Sequence, residues 1–178
     1  MSYRTAVSGW HDFYILAGTA SATLVGLLFV GLSLHLRTVI GSPEVRSLAR
    51  VTLANFGAIL FVALFMVIPE DQSTAALELV ASGVASLVIT TPSLVTAAQG
   101  GGWSLQMRRR DRARLILRFG LSAASFVAVI VAGDQLFSTL SSAFVWLAVA
   151  ILVLLIVSLR NTWDLLVTVG GFTLGSSA

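Results

Sequence analysis

This chain of 178 residues is 57% hydrophobic and 11% charged, whereas soluble domains carry about 25% charged residues. The composition excludes an ordinary soluble protein, because so few polar residues could not cover the apolar ones in water. The absence of cysteine excludes disulfides, thiolate catalysis and cysteine metal sites. The net charge of +3 comes from 11 arginines and no lysine against 8 acids. Most of the arginines lie between apolar runs, which favours lipid headgroups over nucleic acid as partners.

Five apolar stretches approach the length of about 20 residues that a helix needs to cross a bilayer. We therefore predict an all-α integral membrane bundle of five transmembrane helices that forms a single domain over residues 1–178. The predicted spans are residues 13–36, 51–68, 74–98, 115–132 and 143–159. The fourth span is short and flanked by arginine.

The first span opens with an aromatic and acidic cluster that contains Asp12 and continues with small residues. Gly18, Ala22 and Gly26 recur every four residues, a pattern that lets two helices approach closely. We interpret these three residues as a helix-packing surface. The contact is either within the chain or between copies of it, and the sequence does not separate the two.

The third span carries a polar stripe, in which residues spaced by four, four, four and three share one helix face. Its members are Glu78, Ser82, Ser86, Thr90 and Ser93. One interpretation is an ion pathway in which Glu78 and the acidic outer loops attract cations, with Asp12 at the outer mouth. The other is helix packing by Ser and Thr, with Glu78 reaching the membrane interface.

The gap between spans three and four is strongly basic and is expected to contact anionic lipid headgroups. Its arginines are Arg108, Arg109, Arg110, Arg112 and Arg114. Together with the gap between spans one and two and the adjoining helix ends, it holds nine arginines on one side of the membrane. The positive-inside rule assigns that side to the cytoplasm, so we predict the amino terminus outside and the carboxyl terminus inside.

The sequence offers no arrangement typical of an enzyme. The two histidines, His11 and His35, fall near opposite membrane faces, so they predict neither a metal site nor a catalytic triad. We expect no cofactor. Near the end of the fifth span, Asn161 follows Arg160, where it either belongs to a membrane anchor or narrows a pathway.

Three segments carry a resemblance to a known group of proteins: HDFYILAGTASATLVGLLFVGLSLHL, PEDQSTAALELV and NTWDLLV. They resemble a family of small, multi-spanning bacterial integral membrane proteins, mostly actinobacterial. Members are sometimes labelled modulators of a membrane-anchored AAA protease. The resemblance implies a location in the bacterial inner membrane and supplies no catalytic residues.

These patterns favour a homo-oligomeric ion channel or pore that prefers cations. The alternative is a non-conducting protein that regulates or binds another membrane protein. An intramembrane enzyme is the least favoured class, because clustered acid–base or metal residues are missing from the sequence.

Overall fold

The computed structural model describes residues 3–68, 71–99, 119–138 and 140–175, and within these ranges it contains helices and turns without a strand. The prediction of an all-α chain is therefore confirmed. The helices of the described residues are α1 (Tyr3–Leu34), α2 (Leu36–Gly41), α3 (Pro43–Val67), α4 (Gln72–Gln99), α5 (Leu121–Gln135) and α6 (Leu140–Gly175).

Two prolines explain where α3 begins and ends. Ser42 precedes the helix in an extended conformation (φ −112°, ψ 110°), and Pro43 occupies the first helical position, where its fixed φ suits a helix. Ile68 is extended (φ −68°, ψ 128°) because the following Pro69 disfavours a helical conformation in the residue before it. The third proline, Pro92, lies inside α4, which continues past it.

Four stretches of helix are long and apolar enough to cross a membrane: Tyr3–Leu34, Val45–Val67, Gln72–Pro92 and Ser142–Val167. They correspond to the first, second, third and fifth predicted spans. The fourth predicted span overlaps α5, whose 15 residues extend about 22 Å, less than the hydrocarbon core of about 30 Å. Residues 115–118 of that span lie outside the described residues, so the count of five spans stays a prediction.

Helix α3 lies at the centre of the packing and contacts α1, α4 and α6. Helix α5 packs against α4 and α6. The helices α3, α4, α5 and α6 therefore form a closed ring of four, and α1 lies outside this ring against α3 and α6.

The first and last long helices run parallel to each other. Near the start of both, the rings of Trp10 and Phe144 are stacked with their centroids 6.5 Å apart. Towards their ends, a Cβ atom on Gly31 would lie 3.5 Å from Cδ2 of Leu166. Consequently the beginning of α1 and the end of α6 lie at opposite ends of the bundle.

The two ends of the bundle differ in charge among the described residues. We call one the arginine end, because Arg37, Arg46 and Arg50 are exposed there. We call the other the hairpin end, because the turns after α3 and α5 lie there with Asp71 and Asp134 exposed. Arg4 also lies at the hairpin end, so the separation of arginine from acid is strong but incomplete.

Large apolar side chains cover the outside of the helices. Leu16 of α1 is 70% exposed, Val88 of α4 65% and Ile156 of α6 66%. Several polar side chains are instead buried inside the chain, Thr52, Asn55 and Asn161 among them. Apolar exterior faces on long helices are characteristic of a membrane-embedded bundle, since lipid solvates apolar side chains and water does not.

Candidate polar site inside the helix bundle

The polar stripe of α4 is buried inside the chain in the half that lies nearer the arginine end. Ser86 and Thr90 are buried, whereas Glu78 and Ser82 are half-buried. The Ser86 hydroxyl donates to the carbonyl oxygen of Ser82 at 2.8 Å, and the Thr90 hydroxyl donates to that of Ser86 at 2.8 Å. The side chain of Ser93 lies outside the described residues. The stripe therefore faces other helices of the same chain, and its two buried hydroxyl groups bond within α4.

Glu78 is the stripe's only ionisable member and lies near the hairpin end. It is six residues into α4, or about two helical turns. One of its carboxylate oxygens, Oε2, is buried although the residue as a whole is half-buried. One side of the carboxylate is thus covered by the chain, between the exposed acids of the hairpin end and the buried part of the stripe.

Two glycines bring α4 and α5 into close contact. A Cβ atom on Gly83 would lie 2.5 Å from Cγ1 of Ile130, and one on Gly133 would lie 3.0 Å from the carbonyl oxygen of Ala76. Neither position has room for a side chain. The backbones of α4 and α5 are therefore in close contact, as is common in membrane bundles where small residues lie at the interface between helices. The sequence analysis did not single out this pair, because the two glycines are not part of one regularly spaced pattern.

A buried hydrogen bond joins α3 to α5 across the ring of four helices. The Asn55 side-chain amide (Nδ2) donates to the Ser122 hydroxyl at 2.9 Å, and both residues are buried. The Asn55 carbonyl oxygen, Oδ1, is also buried and has no hydrogen-bond partner among the described residues. Asn55 therefore retains an acceptor that faces the interior of the bundle.

Helix α6 contributes two further buried polar residues. Ser158 and Asn161 have 0% exposure and, being three residues apart, lie almost one turn apart on the same side of the helix. Within the described part of the chain, no hydrogen bond is formed by the Ser158 hydroxyl or by either polar atom of the Asn161 amide. A buried polar group without a partner costs about 1–3 kcal/mol, so three such atoms on one helix need an explanation.

Contacts with α1 give the height of Asn55 in the bundle. The Ser21 hydroxyl donates to the carbonyl oxygen of Phe56 at 2.6 Å. Asn55 is the neighbour of Phe56 in the sequence, so it lies at nearly the same height as Ser21.

The height of Ser158 can also be read from α1, and it is close to that of Asn55. Helices α1 and α6 are parallel, and Leu166 lies beside Gly31. Ser158 is eight residues before Leu166, so it lies level with Thr23, which is eight residues before Gly31. Thr23 is two residues beyond the height of Asn55, or about 3 Å. We use the name polar cluster for Asn55, Ser122, Ser158 and Asn161, which come from three helices of the ring and lie within about two helical turns of one another in height.

The predicted packing residues of α1 divide into two groups. Gly18 is packed within the chain, since a Cβ atom there would lie 3.0 Å from that of Ala63 on α3. Ala22 and Gly26 are exposed on the outside of the chain, and a Cβ atom on Gly26 would meet none of the described residues within 4 Å. Packing within the chain is thus found only at Gly18, and contact between copies stays a prediction for the other two.

The remaining predicted residues lie apart from the polar cluster or outside the described ranges. Asp12 is exposed on α1, in the half of that helix nearer the hairpin end. The lipid-binding residues proposed from the sequence, Arg108, Arg109, Arg110, Arg112 and Arg114, fall outside the described residues. Within the described ranges, no three His, Asp or Glu residues come close enough together to hold a metal ion.

Comparisons with known proteins found no match: no family model, no curated protein and no solved structure matches this chain.

Proposed function

We propose that the protein is a multi-pass membrane protein that conducts cations, and that the pathway runs through the interior of each chain. The observation that supports this proposal is the polar cluster. Buried polar groups in a membrane bundle usually face a water-filled cavity or a functional partner, because an uncompensated polar group is costly there. The unpartnered atoms of Ser158 and Asn161 are thus available to water or an ion.

The distribution of charge favours cations over anions. Three exposed acids lie in the half of the bundle that contains the hairpin end: Asp12, Asp71 and Asp134. Glu78 lies further into the bundle from that end, with one carboxylate oxygen buried. Negative charge at the mouth of a pathway raises the local concentration of cations. Glu78 is the residue that we propose as the first site a cation meets on entering the chain.

The buried position of the α4 stripe bears on how copies of the chain would assemble. A pore on the symmetry axis of an oligomer would need polar side chains on the outside of the chain, whereas Ser86 and Thr90 are buried inside it. We therefore propose that any homo-oligomer contains one pathway per chain. We also propose that the arginine end faces the cytoplasm of a bacterial inner membrane, in accordance with the positive-inside rule.

A second function is favoured by the hydrogen bonds of the stripe. Because Ser86 and Thr90 donate to carbonyl oxygens of their own helix, they can act as packing residues without a pathway. The protein would then be a non-conducting regulator of a membrane partner, such as the membrane-anchored protease suggested by the sequence resemblance.

Ion flux into liposomes tests the two functions. Purified protein is reconstituted, its folding is checked by circular dichroism, and Na⁺, K⁺ and Cl⁻ fluxes are measured in both directions of the gradient. Conduction of cations in preference to Cl⁻ is the expected result. Glu78→Gln keeps the side-chain shape and removes the charge, so it should reduce the cation preference, whereas the control Thr23→Val on the exposed face of α1 should not. A folded protein with no flux in either direction would favour the regulator.

A further inference from the structure

We infer that Asn55, Ser158 and Asn161 bind one partly dehydrated monovalent cation, with Na⁺ as the representative ion. This inference rests on the proposed function, because it identifies a binding site on the proposed pathway. It adds the chemical class of the ligand and the atoms that hold it.

The first argument concerns which atoms are available. The hydrogen bond to Ser122 uses the Asn55 amide nitrogen and so directs its carbonyl oxygen to the remaining interior. Three oxygen atoms are buried and have no hydrogen-bond partner among the described residues: Asn55 Oδ1, Ser158 Oγ and Asn161 Oδ1. Three unsatisfied oxygen atoms on two neighbouring helices can replace part of the water shell of a cation.

The second argument concerns geometry. Helices α3 and α6 are in contact, and Asn55 and Ser158 differ by about 3 Å in height along the bundle. Asn161 follows almost one turn towards the arginine end. A cation between the two helices can therefore contact the oxygens of α3 and α6 together, with Ser122 holding the Asn55 amide in position from α5.

The third argument concerns charge. The oxygen ligands are neutral amide and hydroxyl groups, whereas divalent cations such as Ca²⁺ and Mg²⁺ are bound mainly through carboxylates. The energetic cost of placing an ion in a low-dielectric interior also rises steeply with its charge.

Cation binding can be measured without any conduction. Full-length protein is purified in detergent with choline chloride, and choline is replaced by NaCl, KCl or CaCl₂ at constant ionic strength. We expect saturable binding of radioactive ²²Na⁺, close to one ion per chain, and a parallel rise of the thermal unfolding temperature. Choline and Ca²⁺ should produce neither effect at matched concentrations, because choline is too large for the site and neutral oxygen ligands do not compensate a divalent charge.

Variants identify the atoms involved. Asn161→Leu keeps the branched shape of the side chain without the polar atoms, and Ser158→Ala removes one hydroxyl with little change in shape. Loss of a ligand to a charged group should weaken Na⁺ binding by about tenfold or more. The control Thr23→Val, at the same height but on the exposed face of α1, should bind Na⁺ as the wild type does. If Asn161→Leu does not fold, Ser158→Ala and Asn55→Leu provide the same test.

The results separate this inference from the proposed function. Absence of saturable Na⁺ binding, or binding that is unchanged in folded Asn161→Leu and Ser158→Ala, would overturn the cation site, even if cations cross the liposome membrane. Saturable binding that both substitutions weaken, without flux, would support the site while contradicting conduction.

Discussion

Asn55 and Ser122 are 67 positions apart in the sequence, and a single buried hydrogen bond of 2.9 Å joins them in the interior. Asn55 lies near the middle of the apolar stretch Val45–Val67, whereas Ser122 is the second residue of α5 as described. The bond therefore joins the first described turn of α5 to the centre of a long helix.

Removing this bond should destabilise the chain measurably. A double-mutant cycle with Asn55→Leu and Ser122→Ala should give a coupling energy of about 0.6–1.7 kcal/mol, the usual range for hydrogen bonds between membrane helices. The free energy of unfolding is measured by titration with a denaturing detergent. Ser33→Ala is the control, because Ser33 is exposed and bonds only to a carbonyl oxygen of its own helix. A coupling energy of zero would show that the bond contributes nothing.

The contact between α4 and α5 should be sensitive to a single methyl group. In Gly83→Ala, the new Cβ would lie 2.5 Å from Cγ1 of Ile130 and 3.0 Å from the carbonyl oxygen of Phe126. We expect the free energy of unfolding to fall by about 1–3 kcal/mol from overpacking. Gly26→Ala is the matched control, because nothing lies within 4 Å of its Cβ position. Equal stability of the two variants would contradict the close contact.

The exposed small residues of α1 give a test of self-association. Gly26→Leu should leave the stability of the single chain within about 0.5 kcal/mol, since the site is open. If copies of the chain meet at Ala22 and Gly26, the same substitution should reduce the oligomer size measured by light scattering in detergent. Gly9→Leu, at another exposed and open position of α1, should not. An oligomer that is unchanged in Gly26→Leu would exclude this face as the contact.

The orientation of the chain can be tested with single cysteines, because the sequence contains none. Ser138→Cys places an exposed thiol at the hairpin end, and Gly41→Cys places one at the arginine end. In intact cells, a thiol reagent that does not cross membranes should label the first and should label the second only after permeabilisation. The reverse pattern would place the arginine end outside and contradict the positive-inside rule for this chain.

The general form of the chain could be predicted from its sequence, because the length and apolar character of a helix that crosses a membrane are properties of one segment at a time. This reasoning found the four long helices and the shared face of Ser86 and Thr90. The span predicted at residues 13–36 leaves out the first described part of α1, from Tyr3, because those residues are not uniformly apolar.

The polar cluster could not be predicted in the same way. Helical spacing shows which residues share a face, but it does not show which faces meet, and Asn55 and Ser122 belong to helices that are not consecutive. The available signal was weaker: Asn55 and Asn161 are amide side chains within strongly apolar stretches, where polar residues are usually functional. The division of α1 between the packed Gly18 and the open Gly26 likewise depends on where α3 crosses it.

The closure of the ring by α6 has a consequence for biosynthesis. Helix α6 leaves the ribosome after α1 to α5, and it contacts α1, α3 and α5, so these contacts form only after those earlier helices have been made. Until then α3 can pack against α1, α4 and α5, and the side of α3 that faces α6 is open to lipid or to the insertion machinery. A chain truncated before α6 would present a polar amide at the middle of a membrane helix, a feature by which cellular quality control can distinguish incomplete chains from finished ones.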